Sequence, residues 1–77
     1  MTDKGSTGTD LPPRIQRMVK EEDELLTKIE RLSFFMSTDD YSFIERDEQE
    51  RLRAQLFFMR GYRKVLVERL RFAGVDV

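Results

Sequence analysis

The sequence predicts an all-α fold: an antiparallel two-helix hairpin behind a flexible N-terminal tail, assembling with further copies into a helical-bundle oligomer. Three observations carry this expectation. Apolar residues recur at three- and four-residue spacing through residues 12–36 and again through 47–73. The turn-forming residues between the two runs are few enough to fold them back on each other. The second run also has more apolar surface than one short partner helix can cover.

The tail is expected over residues 1–11, where small polar side chains have nothing to bury. Asp10 is a candidate N-cap, and Pro12 with Pro13 fits the first helical turn, where a missing N–H costs nothing. Helix 1 is therefore expected over 12–36, with Ile15, Met18, Leu25, Ile29, Leu32 and Met36 as its seam and Val19 and Leu26 widening one flank. Glu22 takes the seventh seam position. Outside the seam the helix is charged, with Glu24 and Lys28 spaced for a four-residue pair.

Ser37, Thr38, Asp39 and Asp40 open a corner over 37–46, because short oxygen-bearing side chains compete with the helix backbone. Phe34, Phe35, Tyr41 and Phe43 crowd this corner and are expected to plug it. Helix 2 follows over 47–73, opened by a capping box at Asp47 and Glu50 or, alternatively, at Ser42 and Glu45. Gly74 suits the left-handed residue that ends it. Residues 12–77 thus form the hairpin, with two helices of about 25 residues and about 37 Å each.

Helix 2 presents three faces instead of the usual two. Leu52, Gln55, Met59, Tyr62, Leu66, Leu70 and Ala73 line an expected core-facing side at about 100° per residue. Ala54, Phe58, Gly61, Val65 and Phe72 lie about a third of a turn away. This second stripe is the expected subunit interface, and Gly61 within it suits the close approach of another helix. Arg53, Arg60, Lys64 and Arg71 stack on the remaining side, either as a solvated face or as a contact for phosphates or an acidic protein.

Composition narrows the chemistry. The chain of 77 residues has no cysteine and no histidine, which removes zinc fingers, thiol chemistry, imidazole catalysis and di-iron sites built on histidine. No Gly-rich phosphate loop, paired nucleophile and base, or spaced metal carboxylates stand out, so neither enzymatic activity nor a cofactor or metal is expected. At that length without a disulfide, self-association is the natural way to enlarge a core.

The net charge is −1 but unevenly spread. Residues 1–50 hold 7 Lys/Arg against 13 Asp/Glu, a net of −6, while residues 51–77 hold 7 against 2, a net of +5. Such polarity favours halves or subunits that meet acid to base, and it makes nucleic acid an unfavourable partner. With no long apolar run and no signal-peptide pattern, a cytoplasmic protein without membrane contact is expected.

Glu22 in an apolar seam needs a counter-charge, since a lone buried carboxylate costs several kcal/mol. A hairpin brings it within reach of Tyr62, Arg63 or Arg69. It is read either as an ion pair that fixes register or as part of a ligand pocket built from Glu22, Gln55, Tyr62, Arg63 and Arg69 and closed by a second copy.

From Arg14 onward, with Glu48-Gln49, Leu52, Gln55, Met59, Tyr62, Val65-Leu66, Arg69-Leu70 and Phe72, the chain resembles a group of small tailed-bacteriophage accessory proteins. The likeness covers about the last four fifths of the chain. It departs from that pattern where Arg60, Gly61 and Lys64 crowd Tyr62 and in the Phe57-Phe58-Met59 run. The resemblance implies a phage context in which small non-enzymatic proteins disarm host defences by binding. Three roles follow as expectations: stoichiometric antagonist of a host defence protein, oligomeric sponge for an anionic nucleotide signal, and structural or assembly component of the phage.

Overall fold

The computed structural model describes residues 11–77, and every regular element among them is helical: α1 (Pro13–Phe35), α2 (Asp39–Ser42) and α3 (Arg46–Phe72). The Asp10 cap and the expected tail lie outside the described residues, apart from Leu11. That residue belongs to the folded unit: it packs against the core, and its carbonyl accepts a bond from Gln16 Nε2 at 2.6 Å.

Proline starts α1. Pro12 is the N-cap with an extended ψ of 148°, Pro13 follows at the first helical position, and the N–H groups of Ile15 and Gln16 both reach the Pro12 carbonyl. The buried face is Ile15, Met18, Glu22, Leu25 and Ile29, an alternation of three and four. Past Phe35 the hydroxyls of Ser37 and Thr38 bond back to the carbonyls of Phe34 and Phe35, each at 2.6 Å. These bonds replace helical continuation, as expected of such residues. Along the exposed side Glu24 meets Lys20, at 4.0 Å, where the sequence suggested Lys28.

The corner holds a helical turn of its own, so the described chain has three helices where two were expected. Thr38 is extended, which redirects the chain, and Asp39 to Ser42 then close one turn as α2. Tyr41 anchors it: its hydroxyl donates to the Gln49 carbonyl at 3.1 Å, and Gln49 Nε2 returns a bond to the Tyr41 carbonyl at 2.8 Å. The aromatic plug is smaller than expected. Phe35 and Tyr41 meet edge to face at 6.1 Å, whereas Phe34 and Phe43 are 72% and 84% exposed.

Neither expected capping box opens α3. Its N-cap is Glu45, which makes no side-chain cap bond; instead Asp47 and Glu48 place negative charge in the first turn, where the helix dipole favours it. The other end is a Schellman motif. Gly74 adopts φ 91°, its N–H bonds the Arg71 carbonyl at 3.0 Å, and Val75 N–H bonds the Leu70 carbonyl at 2.9 Å. That geometry returns Val75 to the core.

α1 packs along α3 around Ile15, Met18, Leu25 and Ile29 on one side and Leu56, Leu66, Leu70 and Val75 on the other. The core-facing stripe of α3 needs correction. Gln55, Tyr62 and Ala73 are exposed, while Leu56 is buried and Arg63 is partly buried beside Glu22. From Leu52 two alternations lead to Met59 and Leu66, one through Gln55 and Tyr62, the other through Leu56 and Arg63. Periodicity does not separate them; the transfer energy of Leu56 and the counter-charge for Glu22 do.

Leu70, fully buried, should lose about 2–5 kcal/mol of stability on change to Ala. Gly74→Ala should cost about 1–2 kcal/mol through its backbone conformation alone, since a Cβ there meets nothing within 4 Å. Urea unfolding followed by circular dichroism measures both, and equal losses would contradict these assignments.

Candidate functional site

Beside the seam, α3 turns a row of cations toward the flank of α1. Arg60, Lys64 and Arg71 share one line at helical spacing, and Arg63 joins them from the seam side. Leu26 and Ile29 of α1 and Val67 of α3 line a groove of about 470 Å³. The result is an apolar floor with a cationic rim. Among the described residues, Glu68 supplies the groove's single carboxylate.

Glu22 and Arg63 settle the polar gap in the seam. Arg63 Nε donates to Glu22 Oε2 at 2.8 Å, with the Glu22 side chain 9% exposed and that of Arg63 35% exposed. Charge-assisted contact of this kind satisfies a carboxylate that would otherwise be stranded. The arginine therefore has one edge in the core and one at the groove.

The other expected site residues scatter. Arg53, on the same stripe as Arg60, is drawn away to the corner, where Nη1 donates to the Tyr41 hydroxyl at 3.0 Å. Arg71 keeps its place at the groove while Nε and Nη2 donate to the Val77 carbonyl at 3.2 and 3.0 Å. Of the pocket set Glu22, Gln55, Tyr62, Arg63 and Arg69, only Glu22 and Arg63 meet. Gln55 and Tyr62 are exposed, and Gln55 Nε2 lies 3.8 Å from Met59 Sδ. Arg69 lines a second hollow of about 400 Å³ with Arg14 and Phe72.

Ala54, Phe58, Gly61, Val65 and Phe72 are all exposed. Phe58, Val65 and Phe72 stand at 69%, 50% and 95%, opposite the buried face of α3. A Cβ at Gly61 meets nothing within 4 Å, so no contact among the described residues calls for glycine there.

Sequence reasoning did not assign Leu26, Ile29, Val67 and Glu68 to a site. Leu26 and Ile29 read simply as seam and flank. Only the position of α1 against α3 turns such residues into a groove floor, and the three-residue step from Lys64 to Val67 was the one signal that hinted at it.

Fold and groove together define a small all-helical protein with a cation-lined cleft between its long helices. Residues 12–72 match the Sequestin family, and the chain belongs to it. No curated protein and no solved structure matches the chain.

Removing one partner of the seam pair should be costly. Arg63→Ala strands the Glu22 carboxylate and should destabilise the chain by about 3 kcal/mol, whereas Arg51→Ala, which breaks an exposed pair with Glu48, should cost less than about 1 kcal/mol. Chemical denaturation of the two variants side by side checks the contrast.

Proposed function

We propose that this chain sequesters an anionic nucleotide signal, holding it in the groove between α1 and α3 and releasing it chemically unchanged. The observation that carries this reading is the pairing of four cations with an apolar floor in a groove of about 470 Å³. Phosphates take the Arg60, Lys64 and Arg71 charges, and a base or sugar lies against Leu26, Ile29 and Val67. The family name points to sequestration of a ligand or partner. No covalent step is included, since neither histidine nor cysteine is available and binding alone removes a signal.

In this reading α1 and α3 run antiparallel as a hairpin, so that the Glu22–Arg63 contact brings Ile15 level with Leu70 and Ile29 level with Leu56. The working unit is an oligomer. Phe58, Val65 and Phe72 form an apolar face that no other described residue covers, and Gly61 in its midst lets a second helix approach closely. Glycine inside a helix costs about 1 kcal/mol relative to alanine, and a subunit contact would offset that.

The phage-like pattern of the second helix supports a setting in which the sequestered signal belongs to host defence and the protein acts in the host cytoplasm. No helix among the described residues is long and apolar enough to cross a membrane. The exposed aromatic face supports a second reading, stoichiometric capture of a host defence protein.

Calorimetry against cyclic and linear adenine and guanine nucleotides tests the first reading. Binding should weaken at higher salt, and Arg60→Glu with Lys64→Glu together should reduce it at least tenfold while leaving the helical content intact. Ligand recovered after denaturation should have its original mass. Absence of binding across the panel overturns the sponge and leaves capture of a host protein, which co-purification from infected cells then examines. Independently, Phe58→Asp should shift the native mass toward a monomer; an unchanged mass removes that face from the assembly.

A further inference from the structure

Every buried position of the α1–α3 seam is apolar except one. Replacing a buried ion pair with apolar side chains is commonly neutral or stabilising, so stability by itself does not account for Glu22 and Arg63. Two features of the contact point past a purely structural role. Glu22 engages the Nε of Arg63, an arrangement that leaves the two terminal nitrogens of the guanidinium to other partners. Arg63 also lines the cationic groove, with 35% of its side chain exposed, while Glu22 is buried beneath it.

We infer that Glu22 is a positioning residue: it holds the Arg63 guanidinium by its inner edge so that the outer nitrogens are presented, already oriented, to a phosphate in the groove. This rests on the sequestration reading above and adds to it how the groove is preorganised. A free arginine loses rotamer freedom when it captures a ligand, and one already held by a buried carboxylate has lost that freedom on folding. Lys64 and Arg60 make no ion pair among the described residues and are not held in this way. The groove therefore combines two held arginines, Arg63 by the buried Glu22 and Arg71 by the Val77 carbonyl, with Arg60 and Lys64, which make no ion pair among the described residues.

Simple electrostatics makes the opposite prediction. Glu22 is a negative charge close to an anion site, so on charge alone its removal strengthens binding. Glu22→Gln and Glu22→Leu remove that charge equally. They differ in whether an oxygen remains to accept from Arg63 Nε. The comparison between them isolates positioning from charge.

The experiment uses the full chain with inorganic pyrophosphate as the probe, titrated by NMR with the arginine Nε–H signals observed, alongside thermal unfolding of each variant. Glu22→Gln should bind pyrophosphate at least as tightly as the unaltered chain and keep a slowly exchanging Arg63 Nε–H. Glu22→Leu should remain folded and helical, lose that signal, and bind about three- to tenfold more weakly than Glu22→Gln. Equal affinity of the two variants overturns the inference even where the unaltered chain binds. Failure of the unaltered chain to bind pyrophosphate also overturns it, and binding of a nucleotide in that case leaves the sequestration reading standing. Should Glu22→Leu unfold, the unaltered chain decides: on titration with pyrophosphate the terminal N–H signals of Arg63 should shift while its Nε–H stays slowly exchanging against Glu22, and loss of that Nε–H protection on binding overturns the inference.

Discussion

The contact between Glu22 and Arg63, 2.8 Å long and set in an otherwise apolar seam, is the constraint on which the rest of the molecule depends. Leucine against isoleucine differs little from leucine against leucine, so apolar seams resist sliding weakly. A buried carboxylate resists it strongly, because any other register sets it against hydrocarbon at a cost of several kcal/mol. One pair thereby fixes how α1 lies on α3. That placement in turn brings Leu26 and Ile29 into one groove with Val67 and turns a row of cations into its rim.

The distribution of aromatic side chains is the second constraint. Phenylalanine is ordinarily among the most buried residues, yet Phe34, Phe43, Phe57, Phe58 and Phe72 are between 69% and 95% exposed. Burial is left to aliphatic and sulfur-bearing side chains, which form a core one layer thick between two helices. Such a core is thin for a chain of this length, and the large apolar surplus lies on the side of α3 turned away from α1. Self-association would bury that surplus, which the other described residues leave exposed. Phe57 and Phe58 already meet edge to face at 5.4 Å, so this face has its own internal packing before any copy arrives.

Much of this was legible in the residues. Period and turn chemistry specified two long helices, prolines specified where α1 starts, and Gly74 specified how α3 stops, because each acts over one or two turns of the local backbone. What the pattern left open was which of two interleaved stripes on α3 faces inward. Leu52, Met59 and Leu66 belong to both, and Gln55 with Tyr62 fits the spacing as well as Leu56 with Arg63. The choice is made by a residue on the other helix, Glu22, and nonlocal electrostatics of that kind leaves no trace in the periodicity of α3. The groove was illegible for the same reason. Its cations were visible as a stripe, but its floor comes from α1. Arg53 left the stripe because Tyr41 of the corner turn offers it an acceptor, and the corner turn itself was not foreseen.

The three faces of α3 divide the work by the range of the forces involved. Packing against α1 is short-ranged and sets geometry; the aromatic face is short-ranged and suited to a matching surface; the cationic face acts over a Debye length of about 8 Å. The groove cations run from Arg60 to Arg71, a span of about 16 Å at the rise of an α-helix. A compact ligand with two or three phosphates lies wholly within that span. A long polyanion does not, and Glu21, Asp23 and Glu24, exposed on α1, add negative charge beside the same stretch of the molecule. On charge alone the acidic half of the chain disfavours duplexes while the groove favours small anions, and screening by salt limits the range of either effect. Such selectivity is what the sequestration of a small anion proposed above would require.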